Sequence, residues 1–184
     1  MIGVEEARAS DLDRVVALEL ACFGHEAWSR GMLASELDRP AGSFLVARAH
    51  PDAGAERDAG AERDAAQGRA AAVERGRAAP RPLNPTPSIV GYAIALRAGD
   101  VLEVLKVAVD PAERRCGAGR RLVAALHASA GWADEAWLEV RADNPGARAL
   151  YLACGYEDAG IRKRYYADGC DAWVMRRTLR ETPG

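Results

Sequence analysis

The sequence predicts an α/β domain with a mixed central sheet flanked by helices. Runs of strand length and composition recur at Ser43–Arg48, Ile89–Leu96, Val101–Val109, Glu135–Val140 and Asp171–Arg176. Segments of helical periodicity lie between these runs rather than in a block of their own. Gly99-Asp100 separates two of the strands by hairpin distance, so that pair is expected to be antiparallel.

The elements follow in order. Val4 to Arg8 reads as a short first strand. Ser10 or Asp11 can cap a helix from about Leu12 to Phe23, with Val15, Val16, Leu18 and Leu20 as its apolar positions. The loop Gly24 to Ser29 leads into a second helix capped by Ser29, with Met32, Leu33 and Leu37 inward and Pro40 past its end. A helix running to about Ala130 follows the Val101–Val109 strand, and Asn144 or Pro145 starts another, closed by Gly155 after Cys154. Tyr156 to Gly160 begins a return segment toward the last strand.

Composition changes abruptly from about residue 50 to 88, where Ala, Arg, Glu, Gly and Pro replace nearly all large apolar residues. Asp52–Arg57 recurs at once as Asp58–Arg63, and neither copy has an apolar face to bury. The expectation is a disordered insertion in a loop between two strands, a repeat expansion rather than a functional arm. The whole chain, 1–184, is then expected to form one domain around this insertion.

A formal charge of −2 over 184 residues gives no bulk attraction to nucleic acid, so none is expected as a direct partner. No apolar run of about 18 residues is present to span a bilayer, so no membrane role is expected. Cys22, Cys116, Cys154 and Cys170 are scattered without C-x-x-C spacing, and the N-terminal stretch lacks an apolar leader core. Both features suit a cytoplasmic protein with reduced thiols and no metal site.

The segment Arg114-Arg115-Cys116-Gly117-Ala118-Gly119 carries the most chemical information. It joins the strand ending in Val109-Asp110-Pro111 to an amphipathic helix that starts at Arg120. Backbone N–H groups converge at such a helix start and bind phosphate, and the two glycines let an anion approach the backbone. Arg115 and Arg120 can add contacts to a diphosphate or stand as ordinary solvated side chains. Cys116 reads as a small tolerated residue rather than a nucleophile.

These residues resemble the GCN5-related N-acetyltransferase (GNAT) superfamily, whose acetyl-CoA loop has an R/Q-x-x-G-x-G/A pattern after V-D-P. A second block is similar to the bacterial RimI type: Trp137-Leu138-Glu139-Val140-Arg141-Ala142-Asp143-Asn144, then Ala149-Leu150-Tyr151, and Gly155-Tyr156. Arg162 to Tyr166, Asp171 to Met175, and Trp28-Ser29 extend the likeness to both ends of the chain. Ala27, Lys106 and Arg114 depart from the Pro, Asn and Gln often found at those places.

The resemblance implies a GNAT fold and transfer of acetyl from acetyl-CoA, as co-substrate, to an amine without a metal. It implies as acceptor the N-terminal alanine of ribosomal small-subunit protein 18, or another protein N-terminus. A small-molecule amine or a lysine side chain is the nearest alternative, and a non-catalytic acyl-CoA-binding module a third. Glu139, at the end of a central strand, is the candidate base, since an α-amino group of pKa near 8 needs only a carboxylate to take its proton. Tyr151 is the candidate acid toward the departing thiolate. Backbone groups of Val107, Ala108 and Val109 are expected to pair with pantetheine beside a bulge, above a loop of Arg114, Arg115, Cys116, Gly117, Ala118, Gly119 and Arg120. Asn144 would bond the pantetheine arm or cap its helix. Trp28, Glu103 and Tyr165 are the candidates on the acceptor side.

Overall fold

A computed structural model describes residues 1–50 and 88–180; the expected insertion at 50–88 lies almost wholly outside the described residues. The strands are β1 (Ile2–Glu6), β2 (Gly42–Ala49), β3 (Ser88–Ala98), β4 (Val101–Val109), β5 (Glu135–Arg141), β6 (Glu157–Arg162) and β7 (Ala172–Thr178). The helices are α1 (Leu12–Phe23), α2 (Arg30–Leu37), α3 (Ala118–Ser129) and α4 (Pro145–Ala153). The seven strands form one sheet in the order β1-β2-β3-β4-β5-β7-β6. All pairings are antiparallel except β4 with β5, so the sheet is mixed as expected.

Two apolar clusters cover the two faces. Leu122, Val123 and Leu126 of α3 pack with Tyr151 of α4 against Leu102, Val104, Leu138 and Met175. On the other face Leu12, Val15 and Leu18 of α1 and Leu33 of α2 pack against Phe44, Val46, Tyr92 and Ile94. Each such side chain contributes about 1.5–3 kcal/mol by leaving water, which is why the amphipathic segments settle here. Leu33 is fully buried, but Met32, expected beside it, faces solvent because only one side of this short helix meets the sheet. The Ser29 hydroxyl accepts from the Met32 amide as the cap of α2. Asp11 caps nothing in α1; its carboxylate instead accepts from the Arg8 amide, 3.0 Å away, closing a 3-10 turn ahead of the helix. The return segment proves to be the edge strand β6, paired antiparallel with β7.

Two irregularities shape the centre. Ile94 opposes Lys106, but the next residue, Ala95, opposes Val104, so Leu105 is an extra residue in β4. A bulge of one residue reverses the facing of everything beyond it. Leu102 and Val104 therefore pack toward α3, whereas Leu105 and Ala108 join the cluster on the α1 face. The second irregularity is that β4 and β5 pair only from Val101–Glu135 to Val104–Leu138. Past that point each strand keeps only its outer neighbour, β3 or β7.

Candidate active site

The split between β4 and β5 opens a slot whose walls are Leu105 to Val109 on one side and Glu139 to Arg141 on the other. Backbone groups of Val107, Ala108 and Val109 that point away from β3 have no strand partner, so this edge can receive an extended polar chain. The slot leads to the start of α3, where the first intrahelical bond runs from the Arg121 amide to the Gly117 carbonyl at 3.1 Å. The amides of Ala118, Gly119 and Arg120 precede that bond and lack helical acceptors.

The two loop glycines serve different ends. Gly117 sits at φ +87° with open space where a side chain would stand. A Cβ on Gly119 would lie 3.0 Å from Leu150 Cδ2, so its bare Cα lets α3 settle on α4. Arg115 is also left-handed, at φ +69°. The Cys116 thiol is spent within the loop, donating to the Glu113 carbonyl at 2.7 Å. Arg114 leans back toward Cys22 of α1 and Asp110. Asp110 orders the approach, accepting from the Ala112 amide at 3.0 Å and from Arg14 at 2.5 Å. The first of these bonds and then Arg14 hold its carboxyl below the ordinary range.

Glu139 stands on the slot's β5 wall with its side chain 19 % exposed and the Arg162 guanidinium 3.2 Å from its Oε1. Tyr151 is buried on α4, edge-on to Tyr156 with ring centres 5.7 Å apart. Burial, then the neighbouring Tyr166, pushes its phenol above the ordinary value, so it remains protonated and able to donate. Tyr166 links the two: its phenol is pushed up to about 12, first by burial and then by carboxylates that include Glu26 and Glu139. Asn144 does cap α4, its Oδ1 accepting from the Ala147 amide at 3.0 Å, and its amide nitrogen has no acceptor among the described residues.

The acceptor-side candidates separate. Tyr165 is 47 % exposed, edge-on to Tyr166 and beside Arg162. Glu103 is half-buried and opposes Trp137, just below the split. Trp28 is half-buried, and its amide donates to Glu19 Oε1 at 2.7 Å. Lys106, the departure noted in the sequence, pairs its ammonium with the same Glu19, under the rings of Phe23 at 3.9 Å and Trp28 at 4.8 Å.

Two groups, Glu19 and Arg141, carried no site role in the sequence. Glu19 is fully buried on the inward stripe of α1, and a charged residue at such a spacing is itself a signal that a partner waits. Arg141 bonds Glu26 and Asp168 at 2.6 Å and Asp143 at 2.8 Å, joining the loop after α1 to the loop before β7. Tyr166 lies under the Arg141 guanidinium at 4.7 Å. His25 comes close to Glu26 and Asp168, with ligand atoms within 4.8 Å of one another, but both carboxylates are already bonded to Arg141.

The sequence pattern described as the acetyltransferase (GNAT) family matches residues 12–156. Over 95 residues the chain is 48% identical to an uncharacterized protein of Mycobacterium leprae and 43% identical to the N-alpha-acetyltransferase RimI of Mycobacterium tuberculosis. Each match takes in 49% of this chain but only 26% and 60% of those proteins, so the chain spans less than two thirds of either. It is 31% identical over 143 residues to the [ribosomal protein bS18]-alanine N-acetyltransferase of Escherichia coli, covering 75% of this chain and 89% of that one. The crystal structure of the ribosomal-protein-S18-alanine N-acetyltransferase from Escherichia coli superposes with a TM-score of 0.70 at 23% identity, covering 100% of this chain and 97% of that one.

Proposed function

The chain belongs to the acetyltransferase (GNAT) family, and on that premise we propose that it is a single-domain enzyme that transfers acetyl from acetyl-CoA to the α-amino group of a protein N-terminus. The acceptor proposed first is the N-terminal alanine of ribosomal small-subunit protein 18. The likeness to the Escherichia coli enzyme, which spans 89% of that protein, supports that acceptor. The observation that carries the chemistry is the slot between β4 and β5, which runs from a free helix start to Glu139. Among the described residues no helix is long and apolar enough to cross a membrane. All four cysteines are free thiols, which supports a cytoplasmic setting.

The residues present fit the coenzyme. Open space at Gly117 and three free amides at the start of α3 suit a diphosphate. Arg115 and Arg120 supply further positive charge, and the β4 edge at Val107, Ala108 and Val109, which has no strand partner although the Val109 carbonyl accepts from the Cys22 thiol at 3.4 Å, suits the amides of a pantetheine arm, with the Asn144 amide nitrogen across the slot. When bound, acetyl-CoA supplies an acetyl group already activated as a thioester.

Glu139 takes a proton from the acceptor ammonium, directly or through one water, leaving the nitrogen its lone pair. Arg162 keeps that carboxylate oriented. Tyr151, protonated throughout the neutral range, donates a hydrogen bond where charge gathers on the departing sulfur. Tyr165, Trp28 and Glu103 contact or attract the incoming chain, with the Arg141 bridge fixing the two loops that flank it. The test is a panel of N-terminal peptides, lysine peptides and small amines with acetyl-CoA. An Ala-initiated peptide from protein 18 should give the highest kcat/KM; a preferred small amine or lysine peptide rejects the N-terminal assignment, and no transfer to any acceptor rejects the enzyme.

A further inference from the structure

The ion pair of Lys106 and Glu19 lies where charge is least at home. Both side chains are buried, and the rings nearest the ammonium, Phe23 and Trp28, pack against the apolar cluster of the α1 face. Two apolar residues of similar volume would fill this space as well or better, because the attraction within a buried pair barely offsets the water lost by two charges. The carboxylate is not even fully bonded: Glu19 Oε2 has no donor among the described residues. Stability is therefore a poor account of the pair, and its contacts give a better one.

Those contacts converge on Trp28. Glu19 Oε1 accepts from the Trp28 amide at 2.7 Å, which fixes the main chain. The Lys106 ammonium donates to that same oxygen and lies 4.8 Å from the centre of the Trp28 ring, whose face attracts a cation. One carboxylate oxygen thus anchors both the backbone and the ring of a single residue. Trp28 is only half-buried, so the rest of its surface is open. It lies in the loop between α1 and α2, which has another fixed point at Glu26, bonded to Arg141 of β5 at 2.6 Å. The root of the ammonium matters too. Lys106 is the second residue past Val104, where β4 leaves β5, and it turns toward α1 because Leu105 is an extra residue. A bulge beside a site re-aims a side chain in this way. The β4 wall of the slot and the loop ahead of α2 are thereby joined through one buried cation.

We propose that Lys106 and Glu19 are positioning residues for the acceptor: together they hold the Trp28 ring beside the β4 wall as a surface for the first residues of the incoming chain. The proposal rests on the N-terminal acetyltransferase reading above and adds to it the pair that sets acceptor affinity from behind. Neither residue touches the reacting atoms, so their loss weakens acceptor binding and spares both the coenzyme and the rate at saturation.

Steady-state kinetics on the full chain with the Ala-initiated peptide from protein 18, beside calorimetry with acetyl-CoA, tests this. Lys106→Met combined with Glu19→Gln removes both charges and keeps a carbonyl for the Trp28 amide. Acceptor KM should rise about tenfold, as for the loss of one desolvated cation–ring contact, with kcat within about twofold and acetyl-CoA affinity unchanged. Trp28→Leu should raise KM as much, and the triple variant no further, since both changes act through one ring. A general loosening of the fold would instead lower kcat and coenzyme affinity, whatever stands at position 28. An unchanged KM, additive effects, or a parallel loss of acetyl-CoA affinity overturns the proposal. Trp28→Phe leaves both charges and their bonds in place, so it serves even if the charge-free pair does not fold. A ring there still meets the ammonium, so its KM should stay nearer wild type than that of Trp28→Leu; equal rises overturn the proposal. No transfer by wild-type protein to any acceptor rejects the enzyme reading and the proposal with it, whereas peptide turnover with KM unmoved in the variants rejects the proposal alone.

Discussion

Replacing Lys106 by Met should destabilise the protein more than any other single change behind β4. The Lys106 side chain is 8% exposed and that of Glu19 is fully buried, so the substitution strands a carboxylate in the interior. Glu19 Oε2 already lacks a hydrogen-bond partner, which leaves the Trp28 amide as the only remaining donor to that group among the described residues. Removing one member of a buried pair costs about 3–5 kcal/mol, far more than the pair contributes against an apolar substitute. With a urea dependence of about 2 kcal/mol per molar, the unfolding midpoint should fall by about 1.5–2.5 M. Tryptophan fluorescence in urea reads this directly. Adding Glu19→Gln should recover most of the loss, because a neutral amide still accepts from the Trp28 amide without a stranded charge. A single-variant midpoint within about half a molar of wild type, or a double variant no better than the single, would refute the argument that Lys106 neutralises Glu19.

Glu139→Gln should lower kcat by about 100-fold or more and leave acetyl-CoA affinity unchanged, as read by steady-state rates beside calorimetry; a wild-type rate removes Glu139 from proton transfer. Tyr151→Phe should slow turnover with little change in acceptor KM, because only a hydroxyl is lost from a buried ring. Gly117→Ala should cost about 1 kcal/mol from its left-handed backbone and weaken coenzyme binding, while Gly119→Val should lower stability by displacing Leu150; equal effects on binding would show that both glycines face the ligand. Burial and then Arg177 lower His127 to about 4 in the folded state against an ordinary 6.5, so the unfolded chain takes up its proton first as pH falls. Its contribution is complete above about 6.5 and is lost on acidification toward 4, so the urea midpoint of wild type should drop more between neutral pH and pH 5 than that of His127→Gln.

Local rules made much of this molecule legible before any coordinates. The bounds of α1 and β4 follow from apolar spacing and from the Gly99-Asp100 and Asp110-Pro111 breaks. Ser29 and Asn144 are caps because each places an acceptor two or three residues ahead of free amides. The loop at Arg114–Gly119 was readable for the same reason: its chemistry depends on residues adjacent in the chain.

What needed the fold was everything that depends on residues far apart in sequence. The stretch Val104-Leu105-Lys106 shows no break in its apolar pattern, yet a residue too many against β3 turns Lys106 toward α1, and Glu19 answers it from 87 residues away. No spacing rule predicts that β5 leaves β4 after Leu138, because each strand is satisfied by a different outer neighbour. Arg141 was simply a cation in a line of text; three carboxylates around it set its role. Sequence thus determined the elements and the anion-binding turn, through short-range hydrogen bonding and periodic burial. The tertiary structure alone decided the slot and the buried ion pair, because charge pairing and strand separation depend on which distant segments share a face.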